Sequence, residues 1–179
     1  MTPGVSNVRY GENAGNSIAS GGNYNVLLGH DAGTAITTGD SNVAIGFKAL
    51  FSEDGSGGNV AIGDSALRAQ NRAGDAYNTA VGHSAGTAVT TAAQGTFIGA
   101  LAGDAVTTGS HNTALGYRSL SLDTTGQFNV AVGYNALATQ NRTDNTQQYN
   151  VAVGAQAGEN VTSGAVSYTH LTLPTKRIV

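Results

Sequence analysis

The sequence predicts an all-β protein, a parallel β-solenoid of about nine 17-residue coils in residues 1–166. The first observation is a motif, Asn-Val/Thr-Ala-aliphatic-Gly, which is clearest in residues 42–46 and 59–63. Coils this short are below the length of common helical repeats, so we expect one short strand per coil. Successive motif glycines are 18, 17, 17, 19, 17, 17, 17 and 21 residues apart: Gly11, Gly29, Gly46, Gly63, Gly82, Gly99, Gly116, Gly133 and Gly154.

The second observation is the composition of each coil. The motif is rich in Val, Ile and Thr, whereas the rest of the coil is rich in Gly, Asn, Ser and Thr, as in short strands joined by tight turns. An asparagine heads every motif except one, in which Gly95 takes its place. Since Asn and Gly both tolerate positive φ, we expect this column to form turns and a side-chain ladder between coils. The motif asparagines are Asn7, Asn25, Asn42, Asn59, Asn78, Asn112, Asn129 and Asn150.

The third observation is that the coils come in two types. The fourth residue after the motif glycine, here called the switch position, is Gly in five coils and Leu in four. The seventh residue is aliphatic in the Gly-type coils (Ile18, Ile36, Val89, Val106, Val161) and polar in the Leu-type coils (Glu53, Gln70, Asp123, Gln140). We expect both types to fill the same core volume, because protein interiors tolerate neither a missing nor a doubled side chain.

The two types also alternate with a longer period. Their order is Gly, Gly, Leu, Leu, and it repeats after four coils, about 70 residues. We interpret this order as a duplicated four-coil block. Its repeat residues include Asn42, Gly46, Asn59 and Gly63 in the first copy and Asn112, Gly116, Asn129 and Gly133 in the second.

Both faces of the strands are apolar, which bears on self-association. Val43 and Ile45 share one face of their strand and Ala44 lies on the other. One face can line the solenoid interior. We expect neighbouring copies of the chain to cover the other, with the small alanines permitting close approach and Leu27 and Phe97 interrupting the interface.

The motif Asn59-Val60-Ala61-Ile62-Gly63 resembles the head repeats of trimeric autotransporter adhesins, the YadA-like or Hep/Hag class. Similar repeats occur in bacteriophage tail-fibre proteins. The resemblance covers roughly residues 7–164, although family heads usually have shorter coils. It implies a left-handed parallel β-roll in a homotrimer on a bacterial outer-membrane surface or a virion tail fibre. It also implies a non-enzymatic role in attachment, with a host glycan or protein as partner.

The last segment, residues 167–179, departs from the repeat. It introduces Pro174 and the basic pair Lys176-Arg177. It resembles the peptide translated from a sequencing adapter, so we exclude it from the solenoid domain. The alternative is a C-terminal cap, because solenoids need atypical end units.

Composition limits the other functions. The formal net charge is −3 and no basic patch is present, so nucleic acid is not expected as a partner. No apolar run is long enough for a membrane helix, and the start has no signal-peptide pattern. We therefore expect either assembly in a cytoplasm, as for viral fibres, or an internal piece of a longer surface protein.

No enzyme or cofactor is expected. The chain has no cysteine and no Gly-x-Ser-x-Gly nucleophile motif. His30 and His83 are three coils apart, about 14 Å in a stack, so one chain could not bind a metal with both.

Two surface features remain as candidates for contact. Phe47, Tyr117 and Tyr134, each directly after a motif glycine, either contact a carbohydrate or pack in the core or an interface. A second hypothesis is ice binding by a flat threonine array, although other coils interrupt it. The threonine pairs at equivalent positions are Thr37-Thr38, Thr90-Thr91, Thr107-Thr108 and Thr124-Thr125.

Overall fold

The computed structural model describes residues 4–19, 21–141, 143, 147–162 and 168–170. These residues contain no helix, and their strands form one ten-stranded sheet in which strand order follows chain order. The predicted all-β parallel β-solenoid is therefore confirmed. The strands are β1 (Val8–Tyr10), β2 (Val26–Leu28), β3 (Val43–Ile45), β4 (Val60–Ile62), β5 (Thr79–Val81), β6 (Thr96–Ile98), β7 (Thr113–Leu115), β8 (Val130–Val132), β9 (Val151–Val153) and β10 (Tyr168–His170).

The register places each motif on the next. Val43 pairs with Val60, and Ala44 with Ala61. The motif glycines end the strands with φ between 127° and 136°. A side chain is impossible there, because a Cβ on Gly46 would lie 2.5 Å from the carbonyl oxygen of Gly63 in the next coil. The repeated glycine is thus required by the distance between stacked coils.

The tenth strand falls in the segment that the sequence separates from the solenoid. The backbone of β10 pairs in parallel with β9, with Tyr168 opposite Val151. Residues 163–167 and 171–179 lie outside the described residues. The foreign origin of residues 167–179 stays a prediction.

The asparagine ladder is confirmed, but the expected positive φ is at another residue. The backbone N–H of Asn42 donates to Oδ1 of Asn25 at 2.8 Å, and its Nδ2 donates to the carbonyl of Ser56 at 3.0 Å. The positive φ belongs to the preceding residue, such as Ser41 at 58°. The turn ends before the asparagine because its carbonyl already accepts the first ladder bond, from the N–H of Val26.

Phe97 explains why one motif begins with Gly95. A Cβ on Gly95 would lie 2.5 Å from Cε2 of Phe97, and one on Gly103 would lie 2.5 Å from Cε1. The ring therefore occupies the space that asparagine uses in the other coils. Asn78 still accepts a bond from the N–H of Gly95, at 2.8 Å.

The expectation that the two coil types fill one volume is confirmed. Leu67 is wholly buried at its switch position. A Cβ on Gly33 would lie 2.8 Å from Cδ1 of Ile36, so the seventh-position side chain fills the switch space of a Gly-type coil. Leu67 has φ 48°, a conformation that costs about 1–2 kcal/mol, whereas burying a leucine contributes about 1.5–3 kcal/mol. Burial therefore outweighs the strain.

The expectation that the alanine face meets other copies is wrong. Ala44 and Ala61 are fully buried inside the coils, whereas Val43 and Ile45 point outward and are partly exposed. The interior is narrow because it also holds the switch and seventh-position side chains. Larger inner residues, Leu27 and Phe97, occur only in Gly-type coils, where a Cβ on Gly33 would already lie 2.8 Å from Leu27 Cδ2.

The seventh residues of the Leu-type coils are also buried, which the sequence did not predict. Glu53 accepts bonds from the N–H and Oγ of Ser56, at 2.6 and 2.5 Å. Gln70 accepts a bond from Nδ2 of Asn78 at 2.9 Å. These polar groups are inside because the leucine has already filled the apolar volume, leaving the space beside the asparagine ladder for hydrogen-bonding groups.

The second block holds the larger polar cluster. Asp123 Oδ1 accepts a bond from the N–H of Gly126 at 2.9 Å, and Oδ2 accepts bonds from Gln140 Nε2 at 2.8 Å and Asn129 Nδ2 at 3.2 Å. Gln148 Oε1 accepts bonds from the same two amide groups. Burial raises the pKa of the Asp123 carboxyl above its ordinary value, although these hydrogen bonds act in the opposite direction.

Candidate interaction surface

The outer face of the sheet is apolar and partly open to solvent. In each central strand the first and third residues point outward, and the middle residue is buried. The third residues form an apolar column, which includes Ile45, Ile62 and Leu115. Exposure is greatest at the two ends of the stack, where Tyr10 is 79% and Val153 57% exposed. The face therefore resembles a strip of uncovered core that follows the whole stack.

Three aromatic side chains lie on one edge of this strip, at the residue after a motif glycine, here called the trailing position. Tyr117 and Tyr134 are about half exposed and their rings stack, with centroids 5.7 Å apart and an interplanar angle of 10°. Phe47 is 45% exposed. None of the three packs in the core of the chain, so the contact role remains a prediction for all of them.

Phe47 belongs to a separate group. Its ring centroid lies 5.6 Å from that of His30, and the ammonium of Lys48 lies 4.9 Å from it. Lys48 also approaches the ring of Phe51, at 5.5 Å. Four coils, about 19 Å, separate Phe47 from Tyr117, so the structure brings together the two tyrosines and not all three predicted contact residues.

A second aromatic column was missed by sequence reasoning. It occupies the residue before each motif asparagine, here called the leading position, where φ is positive. His111 stacks on Phe128 at 4.5 Å and 6°, and Phe128 stacks on Tyr149 at 5.1 Å and 20°. The signal was present in the sequence: five leading residues are aromatic or histidine, namely Tyr24, Tyr77, His111, Phe128 and Tyr149.

The first threonines of the four pairs do not offer free hydroxyls to a ligand. The first threonine of each pair donates its hydroxyl to the next coil: Thr90 to the carbonyl of Thr107 at 3.2 Å, and Thr107 to that of Thr124 at 2.8 Å. The hydroxyl of Thr37 likewise donates to Asp54. These hydroxyls link neighbouring coils. This role explains why threonine occupies the first position of each pair, with no need for a bound ligand.

His30 and His83 are at the surface. His30 lies between two carboxylates, with Nε2 3.4 Å from Glu12 Oε2 and Nδ1 3.1 Å from Asp31 Oδ2. His83 is exposed. Across the described ranges, no group of three or more His, Cys, Asp or Glu side chains could hold a metal ion. The same part of the chain includes no helix long and apolar enough to cross a membrane.

No protein-family model matches the chain, and neither a curated protein nor a solved structure matches it. Function is therefore inferred from the geometry of the surface and from the resemblance of the repeat.

Proposed function

We propose that this chain is a non-enzymatic attachment module, the head or shaft of a surface adhesin or a segment of a bacteriophage tail fibre. It acts as a homotrimer whose subunits meet through the outer face of the sheet. The observation that carries the proposal is the column of apolar third residues, which runs unbroken from β1 to β9 along the stack. Monomeric soluble proteins rarely leave such a strip uncovered.

The dimensions of the face support contact between copies. Nine coils at about 4.8 Å each make a rod on the order of 43 Å long, and three strand residues give a width of about 10 Å. The strand columns alone therefore offer on the order of 430 Å², whereas stable interfaces bury about 800 Å² per partner. Adding the motif glycines and the trailing positions extends the face to on the order of 700 Å², close to that of a stable interface. The trailing edge then takes part in the subunit contact, and the leading edge stays outside it.

Parallel stacking supports the mechanical role. The N–H and C=O groups of each coil bond to the coils above and below, as in the contacts of Leu50 with Ala66 and Leu67 with Ala85. The rod therefore gains rigidity from each added coil. Three copies of a weak surface site on one rigid particle would gain avidity without a strong individual contact.

The test is the solution mass of the full chain by light scattering after gel filtration. A trimer has three times the 17.9-kDa chain mass, about 54 kDa. The matched variants are Leu115→Lys and Leu122→Lys, which change similarly exposed leucines of one coil, at 43% and 47%. Leu115 lies on the strand face and Leu122 lies outside it. We expect Leu115→Lys to be monomeric and Leu122→Lys to remain trimeric.

A monomeric wild-type chain would contradict the proposal. Equal behaviour of the two lysine variants would place any subunit contact on a different surface. Circular dichroism of both variants separates loss of assembly from loss of fold.

A further inference from the structure

Tyrosine occupies the leading position only where a junction is lengthened. The junctions of 18, 19 and 21 residues are followed by Tyr24, Tyr77 and Tyr149. The other described leading residues, none of them tyrosine, are Ser6, Ser41, Gly58, Gln94, His111 and Phe128. Insertion and tyrosine therefore occur together.

Backbone bonds show that the insertions share one corner of the coil. In the second, Asn71 N–H donates to the carbonyl of Thr90, and Ala76 N–H donates to that of Gly57, so the added residues lie between Asn71 and Ala76. In the third, the bracketing bonds are those of the Asn141 and Gln148 N–H groups. Both of these insertions end one residue before the tyrosine, ahead of Ala76 or Gln148.

The fold does not need these tyrosines. Their φ angles are 58°, 54° and 53°, and they are 62%, 58% and 51% exposed. A bulky residue in this conformation costs about 1–2 kcal/mol, and an exposed ring contributes little burial in return. Ser41 and Gln94 serve the same turn in other coils with similar φ. Backbone strain that burial of the side chain does not offset is typical of functional positions.

The second and third insertions fix the hydroxyls of Tyr77 and Tyr149 as acceptors. Tyr77 Oη donates to Asp75 Oδ2 at 2.8 Å, and Tyr149 Oη donates to Gln147 Oε1 at 2.5 Å, in each case two residues earlier. The hydrogen bond and the charge of Asp75 raise the pKa of Tyr77. With its only proton engaged, each hydroxyl offers lone pairs outward. The complementary group is a hydrogen-bond donor.

Carboxylates lie near two of these tyrosines, Tyr24 and Tyr77. Asp40 Oδ1 accepts a bond from the N–H of Asn23, the neighbour of Tyr24, at 2.6 Å. Asp40 and Asp75 lie on either side of Gly57, whose Cβ would be 2.7 Å from the Asp40 carbonyl oxygen and 2.8 Å from Asp75 Oδ1. Both aspartates are exposed. A donor that approaches this edge is therefore favoured if it also carries positive charge.

Neighbouring residues cover part of the ring surface of Tyr77 and Tyr149. Tyr77 lies against Gly58, whose Cβ would be 2.5 Å from the ring, and one face of Tyr149 is covered by Phe128. Each ring thus presents its edge, its hydroxyl and at most one free face. A cationic side chain can use these groups, because it hydrogen-bonds to the hydroxyl and pairs with the nearby carboxylates.

From these features we infer that Tyr24, Tyr77 and Tyr149 form a docking edge for an extended, cationic segment of a partner protein. The inference rests on the proposed attachment function and names the attaching site. Three and four coils separate the tyrosines, about 14 and 19 Å. An extended segment rises about 3.3 Å per residue, so its basic residues would stand roughly four and six positions apart.

The probe is a peptide with three arginines at that spacing in a Gly/Ser background, immobilised on a biosensor. The control peptide has the same composition with adjacent arginines. The test variant of the full chain combines Tyr24→Ser, Tyr77→Ser and Tyr149→Ser, using the residue that occupies this turn at Ser41. The control variant is Leu122→Ser, at an exposed residue outside the strand face. None of these substitutions changes the net charge.

We expect the spaced peptide to bind the wild-type chain more tightly than the control peptide, and the triple variant to lose about tenfold or more in affinity. The Leu122→Ser variant should bind as the wild type does. Equal binding by the triple variant overturns the inference. So does binding of neutral dextran that the triple variant loses, which would assign the edge to a glycan.

Light scattering on the same samples separates this inference from the trimer. A triple variant that becomes monomeric shows that the tyrosines contact other subunits, which overturns the docking edge. A wild-type chain that is monomeric but binds the spaced peptide through the tyrosines contradicts the trimer alone.

Discussion

Leu-type and Gly-type coils solve one packing problem with different chemistry. A Leu-type coil fills its interior from the switch position, with leucines such as Leu67 wholly buried. It then buries a polar seventh residue, for example Gln70, against the asparagine ladder. A Gly-type coil fills the same space with an aliphatic seventh residue and leaves room for a large strand residue such as Phe97. A polar residue can thus enter the core of a thin solenoid once another residue supplies the apolar volume.

The largest expected effect is on the Gly-type interior. Phe97→Ala removes a fully buried ring and should cost about 3–5 kcal/mol of unfolding free energy, because the glycines around the ring cannot fill the cavity. Urea denaturation followed by circular dichroism measures this loss.

A second substitution sharpens the comparison. Gly95→Asn in the Phe97→Ala background should recover part of the loss, because it restores the side chain that most other motifs carry. In the wild-type background the same change should destabilise, since its Cβ would lie 2.5 Å from the ring. Additive behaviour of the two changes would contradict the idea that ring and amide compete for one space.

A smaller loss is expected from Leu67→Gly in a Leu-type coil. Removing the buried side chain costs about 3–5 kcal/mol, of which about 1–2 kcal/mol is returned when φ 48° becomes easy for glycine. The net effect should be about 1–4 kcal/mol, measured by the same denaturation. A further Gln70→Ile change, which imitates a Gly-type coil, should restore stability. Failure to do so would show that the two types are not interchangeable.

The smallest effect is the pH dependence of the buried acid. Because the folded pKa of Asp123 is raised, the folded chain holds its proton more strongly than the unfolded chain does. This contribution to stability is fully present below the unfolded pKa and is lost as pH rises through the folded pKa. The Asp123→Asn variant has no carboxyl at this position and therefore lacks this pH-dependent contribution. The wild-type stability relative to Asp123→Asn should therefore fall from pH 3 toward neutrality, and a difference that rises or stays constant would contradict the prediction.

Much of the fold was predictable because the repeat makes it redundant. The spacing of the motif glycines was enough to identify the coils. The compensation between the switch and seventh positions was enough to predict that both coil types fill one core volume. Alternation along a strand could not say which face is inside. Val43 and Ile45 suit a core better than Ala44 does, yet the alanine is buried because side chains from the rest of the coil already fill the narrow interior.

The burial of the polar seventh residues was not predicted, for a related reason. Glu53 and Asp123 would be surface residues by composition alone, and their burial depends on partners such as Ser56 and Gly126 that close a turn beside them. The candidate contacts were found only in part. The trailing aromatics follow the motif glycine and were visible, whereas the leading tyrosines became significant once the backbone bonds showed where the insertions lie.

The pairing of acid and amide between successive Leu-type coils limits how such a rod can change its length. Asp123 of one coil accepts its bond from Gln140 of the next, at 2.8 Å, so inserting one coil between them would leave a buried carboxylate without that donor. Inserting a whole four-coil block keeps every neighbour the same. The length of the rod can thus change in steps of about 19 Å, the height of one four-coil block. Duplicating the block adds this length without changing any contact inside the solenoid.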